Sequence, residues 1–213
     1  MNYKKDKEKI IQRYNEKLKH NHRKDLLSTG SKIRRDIRFK VLTELGDFQG
    51  KKILDLGCGI GDFYQYLQEH KIECEYVGYD INPNIIKLAK ERFPKVNFEV
   101  KDILEEDFPH FDYIVSTSSF NNKLESISNY EFIQKILEVS YNHIRNGGGI
   151  AVDFLVSYVD YKHDYAFYYE PEKIFSIAKN ITRRVLIRND YPLYEFAVYL
   201  YKDIEFPYGK KYE

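Results

Sequence analysis

A chain of 213 residues, 43% hydrophobic and 31% charged, is long enough to bury one substantial core and too apolar to be disordered. No apolar run approaches the ~20 residues of a membrane span, and the charged N-terminus lacks the apolar stretch of a signal peptide, so a cytoplasmic protein is expected. The net charge of +1 hides an asymmetry: residues 1–40 hold 14 Lys/Arg against 5 Asp/Glu, leaving 20 against 28 in the remainder.

A basic arm of this kind reads first as a solvated helix face, with RNA or an anionic acceptor as the alternative partner. Cys58 and Cys74 show neither metal-ligand spacing nor a CxxC pattern, so free thiols and no metal site are expected. The 20 Tyr and 14 Phe read mainly as half-buried strand residues.

In chain order, residues 3–19 carry Ile10, Ile11, Tyr14 and Leu18 at helical spacing, and Ser31 is placed to cap a second helix through Ile33, Ile37, Val41 and Leu45. Beyond Gly50 the pattern alternates: strand 52–56, helix 62–70, strand 76–79, helix 83–93, strand 96–100, strand 113–116, helix 130–144 and strand 149–154. The alternation ends in a Tyr- and Asp-rich loop at 157–169, a short helix started by Pro171, and strands 182–188 and 194–201 joined through Asn189-Asp190-Tyr191-Pro192. This predicts an α/β fold: a doubly wound, Rossmann-like, seven-stranded and mostly parallel sheet whose last strand is antiparallel, with an N-terminal helical extension. Residues 1–50 are expected to form a helical lid over a core at 51–213.

The first strand runs into Gly57-Cys58-Gly59-Ile60-Gly61, three glycines at alternate positions just before a helix. Glycine there permits positive φ and lets backbone approach a ligand. Asp80 ends the second strand nineteen positions after Gly61, where a carboxylate can accept from both hydroxyls of a ribose. Asp102 follows the third strand, and Ile81 and Ile103 beside the two acids are candidate walls for an adenine ring. Three strand ends converge on one crevice, the place where open parallel sheets bind ligands.

The pieces DLGCGIGD at 55–62, YVGYDINPNII at 76–86, VKDI at 100–103 and FDYIVSTSSFNN at 111–122 resemble the class I S-adenosylmethionine-dependent methyltransferases over residues 52–122. The resemblance implies S-adenosylmethionine as cofactor. It implies that Gly57, Cys58, Gly59 and Gly61 face its amino-acid part, that Asp55 is the cofactor-binding acid preceding the glycines, that Asp80 holds the ribose and Asp102 the adenine amino group, and that Ser116 flanks the cofactor near the methyl. A nicotinamide-dependent oxidoreductase fits less well, because its G-x-G-x-x-G/A fingerprint would place Gly or Ala where this chain has Asp62.

For the acceptor, the Asn/Asp-Pro-Pro-aromatic motif of exocyclic-amine methyltransferases is replaced by Ser116-Thr117-Ser118-Ser119, and neither cysteine is placed as the thiolate that cytosine-C5 transfer needs. Segments FNNKLE at 120–125, DFL at 153–155, FYYEP at 167–171 and NDYPLYEF at 189–196 resemble a bacterial subgroup associated with surface-polysaccharide and small-molecule tailoring. That implies O-methylation of a sugar, a nucleotide-linked group or a carboxylate. The alternatives are an RNA methyltransferase using the basic arm and a noncatalytic partner subunit.

Candidate acceptor contacts are Arg38, Asn121, Tyr168, Asp190 and Tyr191. Arg38 is read as a partner for the cofactor carboxylate or an anionic acceptor, with Arg34 and Arg35 decorating the same helix. Asp190 and Tyr191 read equally as turn chemistry, and Asn121 and Asn122 equally as caps of the next helix. His163 is the candidate base if a hydroxyl is methylated. His143, His20 and His22 are read as surface residues.

Overall fold

The computed structural model describes residues 3–20 and 30–203. Two N-terminal helices, α1 (Lys4–His20) and α2 (Lys32–Thr43), precede β1 (Lys52–Leu56), α3 (Asp62–Glu69), β2 (Glu75–Asp80), α4 (Pro83–Arg92) and β3 (Asn97–Val100). The second half runs β4 (Phe111–Ser116), α5 (Asn129–Asn142), β5 (Ile144–Leu155), α6 (Pro171–Ile181), β6 (Arg184–Arg188) and β7 (Glu195–Tyr201).

Helix starts follow local chemistry. Ser31 caps α2 by accepting from the Arg34 amide, and Asn82 caps α4, with Pro83 supplying a first-turn residue that needs no amide partner. Ser128, rather than Asn121 or Asn122, caps α5.

The strands form one seven-stranded sheet in the order β3-β2-β1-β4-β5-β7-β6. Pairings from β3 through β5 are parallel, and β7 is antiparallel to both β5 and β6. Strand alternation sends side chains to two cores. Leu54, Leu56, Val77, Tyr79 and Ile114 meet Ile133, Leu137 and Ile174 of α5 and α6 on one face. Ile53, Tyr76, Val115 and Ala151 meet Leu42, Phe63, Leu67 and Ile86 of α2, α3 and α4 on the other. Each such fully buried aliphatic side chain contributes about 1.5–3 kcal/mol.

Two expectations shift. Strand β5 begins at Ile144 rather than Gly149, because Ile144 already pairs with Phe111 ahead of a register shift in β4. The link between β6 and β7 is longer than a tight hairpin turn, and Asn189 holds it by donating Nδ2 to the Glu195 carbonyl at 2.8 Å.

Chain order reverses at β1, whose neighbours are β2 and β4. Helices therefore leave to opposite faces there and open a crevice at the strands' carboxyl ends.

Candidate active site

The turn after β1 crosses that crevice with Gly57, Gly59 and Gly61 all at positive φ, 78°, 55° and 83°. At Gly57 an added Cβ would lie 2.1 Å from Ser119 Oγ, whereas at Gly59 it would meet nothing within 4 Å. The first glycine is thus fixed by packing and the second opens onto the cavity. Gly57 and Cys58 both donate their amides to the Tyr79 carbonyl, at 2.7 and 3.0 Å, tying the turn to β2.

Asp80 closes the loop from the other side, its Oδ2 accepting from the Gly59 amide at 3.2 Å and its Oδ1 from the Asn82 amide at 2.9 Å. Burial pushes its pKa up from 3.8 to about 6 against these lowering bonds. Asp55, fully buried, accepts from Tyr76 Oη at 2.6 Å through Oδ2, while Oδ1 is buried without a hydrogen-bond partner. Its pKa rises to about 7, first through burial and then through the charges of Asp80 and Asp62, with the Tyr76 bond opposing.

One cavity joins these groups. Asp55, the glycine loop, Asp80, Ile81, Asp102 and Ile103 line it from the sheet edge. Tyr3, Ile10, Ile11 and Tyr14 of the N-terminal segment line it from above. Tyr3 Oη donates to Asp102 Oδ2, Lys7 Nζ pairs with the same oxygen at 2.7 Å, and Asp102 Oδ1 accepts from the Leu104 amide at 3.0 Å. Asp6 accepts from the Glu125 and Ser126 amides, both at 2.9 Å, and Asn15 accepts from Asn82 and Asn84. Part of the basic arm is paired with acids of the core: Lys9 with Glu125, Lys32 with Glu69 and Arg35 with Asp62.

The expected role of Ser116 shifts along the chain. Its side chain is buried and its hydroxyl donates to the Leu56 carbonyl at 2.6 Å, so Thr117, Ser118 and Ser119 line the cavity instead. Ser118 holds φ +52°, a rare conformation for a residue with a Cβ, and its amide donates to Asp153 Oδ1.

A second cavity opens beside the first and shares Tyr14, Ser118 and Asn122 with it. Asn121, Tyr168 and His163 all line it. Asn121 Oδ1 accepts from the Leu155 amide at 3.0 Å, and the exposed His163 donates its amide to Tyr168 Oη at 3.2 Å while its ring stacks on Tyr165.

The other candidates are placed differently. Arg38 reaches the second cavity but is buried and held by acids of this chain, donating to Glu195 at 2.5 and 2.7 Å and lying 2.9 Å from Asp153. Asp190 is exposed and paired with Arg188, which reaches back to Glu44. Tyr191 packs against the core on the α2 side. Neither lines the cavity, because the 189–194 link folds toward α2 and leaves Tyr194 and Glu195 on the cavity wall. His143 caps α5, half-buried, with Nδ1 on the Val139 carbonyl, Nε2 3.1 Å from Asp107 and its ring stacked on Phe108. His22 lies outside the described residues, as does the His20 side chain.

Among the described residues, no group of three or more His, Cys, Asp or Glu could hold a metal ion, and no helix is long and apolar enough to cross a membrane. Cys58 and Cys74 are free thiols, the first buried.

A doubly wound sheet with a glycine turn and acids at the tips of β1 and β2 defines a nucleoside-binding α/β enzyme. A methyltransferase-domain profile matches residues 47–189, two thirds of the chain, and the protein belongs to that family. It is a class I S-adenosylmethionine-dependent methyltransferase. Its relatives include a Mycobacterium tuberculosis protein named as a methyltransferase, 28% identical over 70% of this chain and 92% of that one. Phosphoethanolamine N-methyltransferase of Plasmodium falciparum is 38% identical over 36% of this chain, a match spanning only 30% of that relative.

Among solved structures, an S-adenosylmethionine-dependent methyltransferase from Clostridium acetobutylicum shares the fold, with a TM-score of 0.61 and 16% identity. The match covers 89% of this chain and 99% of that one. Magnesium protoporphyrin IX methyltransferase from Synechocystis with bound S-adenosylhomocysteine gives a TM-score of 0.59 at 12% identity over 83% and 89% of the two chains.

The residues present fit the cofactor. The unpartnered Oδ1 of Asp55 is an acceptor for an α-ammonium group, the open space over Gly59 admits a ligand against backbone, and Asp80 presents a carboxylate beside it.

Sequence reasoning missed Tyr3, Tyr14, Asp153 and Glu195. Tyr14 carried only a helical-periodicity signal, Tyr3 precedes α1, and the acids meet Arg38 through tertiary folding alone.

Proposed function

We propose that this methyltransferase acts on a small-molecule hydroxyl or carboxylate, with the cofactor in the first cavity and the acceptor in the second. The supporting observation is that the two cavities abut at Tyr14, Ser118 and Asn122, so groups held in each can meet there. Relatives named for N-methyl and for O-methyl transfer each match about a third of this chain, so the acceptor is read from this chain's own second cavity.

In this reading Asp80 accepts from the ribose hydroxyls, Asp55 faces the α-ammonium, and Ile81 and Ile103 flank the adenine, whose amino group meets Asp102. Bound S-adenosylmethionine supplies an electrophilic methyl on a sulfonium. The chain's own contribution is chiefly positioning, which holds the acceptor oxygen in line with that carbon. Asn121 and Tyr168 orient the acceptor, and His163, on the outer wall, takes the proton when the acceptor is a hydroxyl; a carboxylate needs no base. Of the expected lid at 1–50, α1 is the part that covers the first cavity and excludes water, while α2 is packed into the core.

The pairing of Lys7, Lys9, Lys32 and Arg35 with acids of the core supports a small acceptor over RNA. The test is transfer of labelled methyl to a panel of sugars, nucleotide-linked sugars and carboxylic acids beside an RNA pool. Label in the small-molecule fraction, lowered by His163→Gln for hydroxyl acceptors, is expected. Label found only in RNA, with a steep salt dependence, contradicts the proposal.

A further inference from the structure

Lys4, Lys5, Lys19 and Lys40 of the N-terminal helices lie away from the second cavity, and the other cations of these helices fall into two sets. Lys7, Lys9, Lys32, Arg35 and Arg38 each have a carboxylate partner. Those that line the second cavity otherwise do not. Half-buried Arg13 donates to Asn122 Oδ1 at 3.1 Å and lies 4.1 Å over the Tyr165 ring. Half-buried Lys17 lies 5.0 Å over the Tyr14 ring, and Arg34 stands exposed at the rim. Among the described residues none of these three makes an ion pair.

The cavity's lining contains four cations, Arg13, Lys17, Arg34 and Arg38, against two acids, exposed Asp160 and Glu195, the latter already bound to Arg38. Burial and the neighbouring Arg13 charge push the Lys17 pKa down, so two like charges are held together at a partly desolvated wall. A protein keeps such an arrangement cheaply only when an anion completes it. A dianion suits it better than a carboxylate, since a phosphate offers three acceptor oxygens to a guanidinium fork and an ammonium.

We infer that the acceptor carries a phosphate group, held by Arg13 and Lys17 with Arg34 at the rim, while its organic body lies among the tyrosines. This rests on the reading of the second cavity as the acceptor site. It places the phosphate on the α1 side and directs the nucleophile toward Ser118 and Asn122, where the cavities meet.

The test is titration of the full chain, saturated with S-adenosylhomocysteine, with inorganic phosphate by calorimetry, against acetate at matched ionic strength. Phosphate is expected to bind in the millimolar range, and Arg13→Gln/Lys17→Gln to weaken it by about tenfold or more. S-adenosylhomocysteine affinity is expected to stay unchanged. Lys17→Met serves if the double variant does not fold, and Arg13→Lys, which keeps the charge, is expected to retain most of the binding. Phosphate affinity that is absent up to about 50 mM, equal in the variants, or matched by acetate, with S-adenosylhomocysteine still bound, overturns the phosphate assignment and leaves the acceptor cavity standing. Failure of the folded wild type to bind S-adenosylhomocysteine overturns the functional reading itself.

Discussion

Arg38 of α2 and Glu195 at the start of β7, 157 positions apart in the chain, form a two-pronged ion pair with contacts of 2.5 and 2.7 Å. Asp153 on β5 lies 2.9 Å from the same guanidinium and accepts from the Ser118 amide and Thr117 hydroxyl. The cluster joins the N-terminal extension, the sheet and the loop after β4. Burial and Glu195 raise the Asp153 pKa while Arg38 opposes them.

Arg38→Ala therefore leaves two buried carboxylates uncompensated. A loss of about 3–5 kcal/mol is expected, a fall in Tm of roughly 6–20 °C for a chain of this size. Thermal unfolding followed by circular dichroism measures it, and a shift under ~2 °C would deny the cluster its structural role.

Gly59→Ala separates fold from binding. Its φ of +55° makes the alanine variant cost about 1 kcal/mol in stability. The new Cβ has no protein atom within 4 Å and projects where a ligand would lie. Cofactor-product affinity is expected to fall by well over tenfold, far beyond the stability change. Equal small effects on both, measured by calorimetry and thermal melts, would mean the open space is not a ligand site.

On the proposed reading, Asp55 makes cofactor binding depend on pH. Its pKa is raised from 3.8 to about 7, so the neutral form suits the ligand-free fold. The stability it lends is full below about 3.8 and is lost as pH rises through about 7. A cationic ligand needs the carboxylate, so S-adenosylmethionine affinity is expected to rise between about pH 5.5 and 8. Asp55→Asn should make that rise shallower, leaving the part contributed by Asp80, whose pKa is raised to about 6, and raise Tm at about pH 8 by a few degrees, the equivalent of roughly 1–3 kcal/mol. An unchanged pH profile in the variant would exclude Asp55 as the charge partner.

Tyr3 and Lys7 fasten α1 to Asp102. Tyr3→Phe is expected to speed amide exchange in the first turns of α1 by about tenfold, equivalent to ~1.4 kcal/mol of local opening, while the sheet stays protected. Exchange unchanged in α1, or accelerated throughout the chain, would contradict a separately opening lid.

The cofactor half was legible in the sequence because its chemistry is local. Strand 52–56, the glycine turn and Asp80 all belong to one β-α-β unit, and hydrophobic period and glycine spacing report them directly. The surroundings of the second cavity were less legible. Ser116 is the last residue of β4 and Thr117 the first of the loop after it, and the burial of Ser116 depends on the Leu56 carbonyl across the β1–β4 pair. The direction of the 189–194 link depends on Arg188 meeting Glu44 and on Tyr191 packing toward α2. Arg38 read as a ligand contact because its two acids lie on β5 and β7, and no local pattern joins them to α2.

The most direct measurement is calorimetric titration of the folded protein and its Asp80→Ala variant with S-adenosylhomocysteine. Asp80 anchors the Gly59 amide at 3.2 Å and faces the cavity. The account predicts clear binding to the wild type and at least about 30-fold weaker binding to the variant, since two hydrogen bonds to a charged group are removed. Equal affinity in the two proteins, or no heat with well-folded wild type, would contradict it.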